Sequence, residues 1–296
     1  MIHIIMVNPI SGRKNGYKHA IVVQKLLKKY NIDSKIISSN YSGELRKISY
    51  EISHNQNARF YCIGGDGTLN EIVSGIIGTD SEIVVLPCGT GNDFAKYINE
   101  YSSLRKIILN SINAKASKID VMKLSGNRYC INILNAGFDA LVAYNMNKFR
   151  WVPLISGSAK YNLAIIYTLF FNRNYKLRIK TNEYTKKGKF TLVAISNAKS
   201  YGGGIIPCPH SVPDDGRLSI CAINQTSLFT KIILLPKYKN CKHENISLAN
   251  INDNITEISI VSNRKFPLSI DGEITYTNRI KAKVLKGAVN IVRIKK

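Results

Sequence analysis

Three short stretches place glycines beside polar side chains where an apolar run ends. They are Asn8-Pro9-Ile10-Ser11-Gly12, Gly64-Gly65-Asp66-Gly67-Thr68-Leu69-Asn70-Glu71, and Leu86-Pro87-Cys88-Gly89-Thr90-Gly91-Asn92-Asp93-Phe94-Ala95. A glycine-rich turn between a strand and a helix lets a phosphate approach the backbone, and the helix N-terminal N–H groups favour anions. The second stretch is not G-x-G-x-x-G, because Asn70 stands where the third glycine belongs, and no Gly-Lys-Ser/Thr follows to make a Walker loop. Asp66 would repel a phosphate directly; it becomes useful if magnesium, or a water on it, stands between them. Thr68 is placed to cap the following helix, with Asn70 and Glu71 in its first turn. A tight turn with a satisfied aspartate would explain GGDG by itself. Three such turns from three strands, converging on one crevice, indicate phosphoryl chemistry. A further carboxylate, Glu273, sits on a turn after the apolar run Pro267–Ile270, where it would be exposed at a rim and able to take a proton.

The elements that must position these residues fall into two textures. Up to about residue 118, apolar runs (Ile2–Val7, Ser34–Ile37, Phe60–Ile63, Ile83–Leu86) alternate with helical patterns (Tyr17–Tyr30, Gly43–His54, Leu69–Ile77). That alternation predicts β-α-β units and a parallel sheet covered on both faces. Beyond it come short strand-like runs: Lys118–Leu124, Arg128–Leu134, Tyr175–Lys180, Phe190–Ser196, Arg217–Ile223, Ile255–Val261, Pro267–Ile270 and Arg279–Val284. Turn residues separate many of them, and Ser158–Phe171 is the one clear helical insertion. The expected fold is therefore an α/β domain over 1–118, followed by an antiparallel β-sandwich over 119–296 whose last strand can return to the first domain.

The chain has 296 residues, 45% of them hydrophobic and 21% charged, which suits a folded protein and excludes a disordered one. The longest apolar stretch, near Tyr161–Phe171, is too short for a membrane span. MIHIIMVNPI has neither the basic start nor the cleavage site of a signal peptide, so a cytosolic protein is expected. The six cysteines form no C-x-x-C pair and read as reduced thiols; Cys208-x-His210 and Cys241-x-His243 match no common zinc spacing. The net charge is +23, with 15 basic and 9 acidic residues in 1–118 against 27 and 10 in 119–296. The basic second half suggests an anionic partner, and without a nucleic-acid motif the expected one is an anionic membrane surface. FRWVPLI (149–155) reads either as an interfacial contact or as a core segment.

Taken together, NPISG, GGDGTLNE and LPCGTGNDFA closely resemble the diacylglycerol kinase catalytic family, which includes bacterial soluble lipid kinases and is related to the sphingoid-base kinases. Lys118-Ile119-Asp120-Val121, Asn135-Ala136-Gly137-Phe138-Asp139 and Ser269-Ile270-Asp271-Gly272-Glu273 resemble its later motifs, so the likeness spans nearly the whole chain. It implies a NAD kinase- and phosphofructokinase-like α/β domain, a β-sandwich domain, ATP and Mg2+ as cofactors, and transfer of the γ-phosphoryl group to a lipid hydroxyl, diacylglycerol first. By similarity, Asn8, Pro9, Ile10, Ser11, Gly12, Ser39, Gly65, Asp66, Gly67, Thr68, Leu69, Asn70, Glu71 and Thr90 line the nucleotide site. Asp66 and Asp120 join an aspartate–water–magnesium network, and Glu273 is the general base. Asp214-Asp215-Gly216-Arg217 resembles a structural magnesium loop, with the Asp215 carboxylate and the carbonyls of Val212 and Arg217 as ligands. The resemblance further implies peripheral association with a membrane, and some members of the family suggest a homodimer. One departure stands out: Lys96 follows NDFA where bacterial members place arginine, which keeps the charge and loses bidentate geometry. Other readings of the same residues are a NAD kinase-like or sphingoid-base kinase, or a non-catalytic lipid-binding protein.

Overall fold

The computed structural model describes residues 1–89, 91–100, 103–149, 157–171, 174–202 and 204–294. Thr90 and most of FRWVPLI (150–155) lie outside them. The chain divides into two compact units: Met1–Val121 with Pro213–Asp215 and Leu285–Lys296, and Met122–Val212 with Gly216–Val284.

The first unit runs β1 (Ile2–Val7), α1 (Ser11–Lys14), α2 (Gly16–Lys28), β2 (Ser34–Ser38), α3 (Glu44–Asn55), β3 (Ala58–Gly64), α4 (Asp66–Ile76), β4 (Glu82–Pro87), α5 (Asp93–Ile98) and α6 (Leu104–Ser111). The strands pair in the order β4-β3-β1-β2, every ladder parallel. All seven residues of β3 are buried, as a central strand with helices on both faces requires. On one face, Ile5, Val7, Tyr61, Ile63, Val84 and Leu86 meet Ala20, Val23 and Leu27 of α2 and Ile107 and Ile108 of α6. The spacing of Ala20, Val23 and Leu27 is that of one helix face. Because β1, β3 and β4 run in the same direction, their carboxyl ends share one edge, and the three glycine-bearing turns leave from it.

The second unit receives the end of β5 (Ala116–Leu124) and continues through β6 (Arg128–Cys130), β7 (Ile133–Gly137), α7 (Phe138–Lys148), α8 (Gly157–Phe171), β8 (Tyr175–Thr181), β9 (Thr185–Ser196), β10 (Leu218–Asn224), α9 (Leu228–Lys239), β11 (Ala249–Ile255), β12 (Glu257–Ile270) and β13 (Glu273–Val292). Its ladders are antiparallel. They join β11-β10-β9-β7-β12-β13 in one path, with β8 bonded to both β9 and β12. The unit is thus antiparallel and β-rich, and its hydrogen bonds do not separate two sheets as a sandwich would. One core gathers Phe190, Val193, Phe266, Leu268, Ile280 and their neighbours. A second packs Phe138, Val142, Ala164, Ile165 and Tyr238 of the helices on Leu192, Ala194, Cys221 and Ile223.

Several sequence expectations need correction here. Two helices, α7 and α9, accompany α8. The run Arg128–Leu134 breaks into β6 and β7, because the backbone N–H groups of Ile131, Asn132 and Ile133 turn onto the Asp271 carboxylate. Ile255–Val261 and Pro267–Ile270 belong largely to one strand, β12, whose register shifts between Val261 and Phe266.

Candidate functional site

At the carboxyl edge of the parallel sheet, the turns after β3 and β4 touch backbone to backbone. A Cβ on Gly89 would lie 2.4 Å from the Gly65 Cα, and one on Gly64 would lie 2.3 Å from Thr68 Oγ1. Only glycine allows both approaches. The second turn is locked by Asn92, in the left-handed region at φ 54. Its Oδ1 accepts from Gly89 N at 2.7 Å and its Nδ2 donates to Gly89 O at 2.8 Å.

Helix α4 begins at Asp66, earlier than the sequence pattern implies, and Gly65 is its N-cap residue. Thr68 therefore sits in the first turn instead of capping it, buried, with Oγ1 3.5 Å from Asn8 Nδ2. An acid at the first helical position is favoured by the helix dipole. Asp66 Oδ1 also accepts from Phe94 N at 3.3 Å, which ties the start of α5 to the start of α4. Its Oδ2 and the Oδ2 of Asp93 both lie within 3.4 Å of the point a Cβ on Gly91 would occupy. The acid that shares this glycine with Asp66 is thus Asp93, a buried residue the sequence reading passed over.

The first turn folds on itself: Asn8 Oδ1 accepts from Ile10 N at 3.2 Å and Asn8 O from Ser11 Oγ at 2.7 Å. Ser39 is fixed through its N–H to Val7 O at 3.0 Å. Not every expected residue faces this edge with its side chain. Leu69 is buried in the core. Glu71 accepts from Gly43 N at 2.8 Å and Leu45 N at 3.2 Å, so its carboxylate caps α3. Asn70 Oδ1 accepts from Ser74 Oγ at 3.3 Å. Beneath the turns, burial pushes the Cys88 thiol up to about 11 and Cys62 higher still, with the charges of Cys88, Asp66 and Glu71 adding to the latter. Both remain protonated and inert.

Asp120 is buried at the end of the first unit's share of β5. Its Oδ1 accepts from Gly287 N at 2.8 Å, and its own N–H donates to Pro213 O at 2.6 Å. The adjacent Asp214 pairs with Arg293 at 2.8 Å. The short Pro213–Asp215 strap and the chain's last segment thus converge on Asp120, an arrangement no local sequence signal announces.

In the second unit, Glu273 opens β13 and is exposed. The turn before it has Asp271 at φ 46 and Gly272 at φ 93, both left-handed, as a two-residue hairpin turn requires. Asp271 Oδ2 accepts from Ile131 N at 2.7 Å, and Oδ1 from Asn132 N and Ile133 N, each at 3.0 Å. Three charge-assisted bonds therefore hold the tip that carries Glu273. At the expected magnesium loop, Val212 is half-buried while Asp215 and Arg217 are exposed, and the Arg217 guanidinium donates to Asn254 Oδ1 at 2.6 Å. Among the described residues no cluster of three His, Cys, Asp or Glu side chains gathers as a metal cage. An ion at that loop would rely on Asp215 and backbone carbonyls, a hard-oxygen set suited to magnesium. The cysteines are unpaired with one another, and His243 Nε2 engages Pro207 O at 2.9 Å.

The closely packed turns at Gly64, Gly65 and Gly89, with open space at Gly67 and two carboxylates beside Gly91, fit a magnesium-bound polyphosphate: open backbone for the phosphate at Gly67, hard oxygen donors for the cation. An α/β unit with this edge is thus joined in one chain to an antiparallel unit that carries the exposed Glu273. The diacylglycerol kinase catalytic domain model matches residues 3–124, and the YegS C-terminal NAD kinase beta sandwich-like domain model matches 132–293. The chain belongs to the diacylglycerol kinase catalytic family, in the form that carries this second domain. It is 26% identical over 302 residues to a Staphylococcus carnosus protein provisionally named a lipid kinase, covering 98% of this chain and 96% of that one. A Staphylococcus aureus MSSA476 protein, also provisionally named a lipid kinase, is 26% identical over 262 residues, covering 86% and 85%. Among solved structures, a Bacillus anthracis protein provisionally described as a diacylglycerol kinase superposes with a TM-score of 0.75 at 19% identity, covering 99% of this chain and 97% of that one. Another from that organism, described as a diacylglycerol kinase, gives 0.70 at 17%, covering 99% and 96%. These two share the fold. Among the described residues no helix is long and apolar enough to cross a membrane.

Proposed function

We propose that this protein is an ATP-dependent lipid kinase that phosphorylates a lipid hydroxyl, with diacylglycerol giving phosphatidic acid as the leading case. The observation that carries the reading is the Gly65–Gly89 contact with the Asp66 and Asp93 carboxylates together beside Gly91. That edge suits phosphates and a divalent cation, in a chain of a kinase family.

In this reading the backbone of Asn8–Gly12, Gly65–Thr68 and the Gly89–Gly91 turn cradles the phosphates, with Thr90 joining them by similarity. Ser39, Leu69 and Asn70 contribute to the walls of the nucleotide site, and Glu71 keeps its neighbouring loop in place. Asp66 and Asp93 orient the cation through their carboxylates, and Asp120 steadies the network through the strap it anchors. Magnesium held by these carboxylates would offset the charge that develops on the transferring phosphoryl group. Glu273 accepts the proton of the lipid hydroxyl as that oxygen forms its bond to the γ-phosphorus; the bond from the γ-phosphorus to the β–γ bridging oxygen breaks, and ADP leaves with the electron pair. Asp215, with the carbonyls of Val212 and Arg217, would hold a second, structural magnesium. The protein works as a peripheral visitor to the membrane, from which its substrate must partly emerge.

The test is incubation with magnesium and γ-labelled ATP in mixed micelles of diacylglycerol, sphingosine or phosphatidylglycerol, with NAD as a control. Label is expected in diacylglycerol, with kcat lowered about 10²–10⁴-fold in Glu273→Gln. Label in NAD, or in no lipid despite ATP binding, would overturn the reading.

A further inference from the structure

The outer face of the second unit carries a basic field that the phosphotransfer reading does not use. Strands β9, β8, β12 and β13 lie side by side in that order. Leu177 and Ile179, Ile258 and Ile260, and Ile280 and Ala282 point into the core. Alternation then places Arg178 and Lys180, Ser259 and Val261, and Arg279, Lys281 and Lys283 on the opposite face. Register aligns them in rows: Lys180, Ser259 and Lys281 in one, Arg178, Val261 and Arg279 in the next. Lys187 continues the second row, directly opposite Arg178.

A groove of about 540 Å³ runs over this face. Its lining includes Lys123, Arg178, Lys180, Arg279, Lys281 and Lys283 against a single acid, Glu257. Among the described residues, none of these six cations is in an ion pair with a carboxylate. Strands are about 4.8 Å apart, so Lys180 and Lys281 stand roughly 10 Å from each other, within reach of mutual repulsion at ordinary salt. Like charges set opposite one another, as Arg178 and Lys187 are, destabilise a sheet. An anionic partner would reverse that cost.

We infer that this face docks on the anionic headgroups of a bilayer, with the basic rows lying against the phosphate plane. The inference rests on the lipid kinase reading for its choice of partner and adds the surface that makes the contact. The chemistry of the face favours a bilayer over nucleic acid. Among the described residues, no aromatic side chain lines the groove to stack on bases. Four of the six cations are lysines, point charges without the bidentate fork that reads guanine. A face four strands wide is also broader than the roughly 12 Å major groove. What it matches is an extended plane of negative charge.

The test is co-sedimentation of the full chain with vesicles of phosphatidylglycerol and phosphatidylcholine, against phosphatidylcholine alone, and fluorescence anisotropy with RNA and duplex DNA. One variant carries Lys180, Arg279, Lys281 and Lys283→Gln. A charge-matched control carries Lys18, Lys25 and Lys28→Gln on α2 and Lys29→Gln at its C-cap, all exposed. Wild type is expected on the anionic vesicles and not on phosphatidylcholine. Each charge removed from the face should weaken partition about fivefold, so the groove variant loses at least about 100-fold while the control keeps binding within a few-fold. Equal loss in both variants, no loss in the groove variant, or groove-dependent binding tighter to nucleic acid than to vesicles would each overturn the inference. Label transfer to a short-chain, water-soluble diacylglycerol, measured on the same proteins, reports on the kinase reading separately. Docking without transfer would sink that reading alone, and transfer without docking would sink this one.

Discussion

Asp271 touches no reacting atom in the proposed chemistry, yet its carboxylate gathers three consecutive backbone N–H groups two residues before Glu273. Replacing it with alanine would leave those donors without a charged acceptor. Asp271→Ala is expected to cost about 3 kcal/mol or more in urea unfolding. Near-wild-type stability in that variant would refute the anchoring role. Asp139 makes a different prediction. Burial lifts its carboxyl to about 6 from the ordinary 3.8, while the Tyr201 and Tyr238 hydroxyls that donate to it pull the other way. The folded chain therefore binds this proton more tightly than the unfolded one. The resulting stability is present below about pH 4 and is lost as pH rises through about 6, a difference of about 3 kcal/mol. Asp139→Asn should remove that slope and raise Tm at neutral pH; melting curves from pH 4 to 7 that keep the wild-type slope would contradict the assignment.

Two turns that meet through glycine behave as one element. Gly89→Ala would drive a Cβ to 2.4 Å from the Gly65 backbone, a contact with no flexible side chain to yield. The turns must part, with a destabilisation of about 1–3 kcal/mol and a weaker Kd for ATP by calorimetry. Unchanged ATP affinity would mean that the two turns do not form one phosphate cradle. The strands under these turns were legible because each ends at its own Gly or Pro signal: β1 at Asn8-Pro9, β3 at Gly64-Gly65, β4 at Pro87. What escaped reading is what depends on distant partners. The break between β6 and β7 is imposed by Asp271, about 140 residues further on. Glu71, read as part of the nucleotide site, caps a helix that begins 27 positions earlier in the chain. The apolar pattern of α9 is interrupted by Pro236, which hides a helix that nonetheless packs Tyr238 in the core. Asp93 lay inside a quoted motif, but nothing in its spacing says that it shares Gly91 with Asp66.

The first unit is not continuous in sequence. The first unit contains Leu285–Lys296, where Asn290 and Ile291 of β13 extend the parallel sheet beside Glu82 and Ile83 of β4. Gly287 holds Asp120, and Arg293 holds Asp214. A chain stopped at Val284 is expected to lose proteolytic resistance within residues 1–121 and to bind ATP poorly, as limited digestion and calorimetry would read. Full protection of that region in the truncated chain would show the closing segment to be dispensable. The same weave sets an order of events during synthesis. Domains commonly fold as they emerge, the N-terminal one first. Here the first unit is begun first and completed after the second, because β4 gains its outer neighbour only once the residues of the second unit have been made. On the ribosome, the unit with the three glycine-bearing turns waits as an incomplete sheet with an open edge. If the proposed nucleotide site is correct, a nascent chain that has not yet paired β13 with β4 should bind ATP poorly.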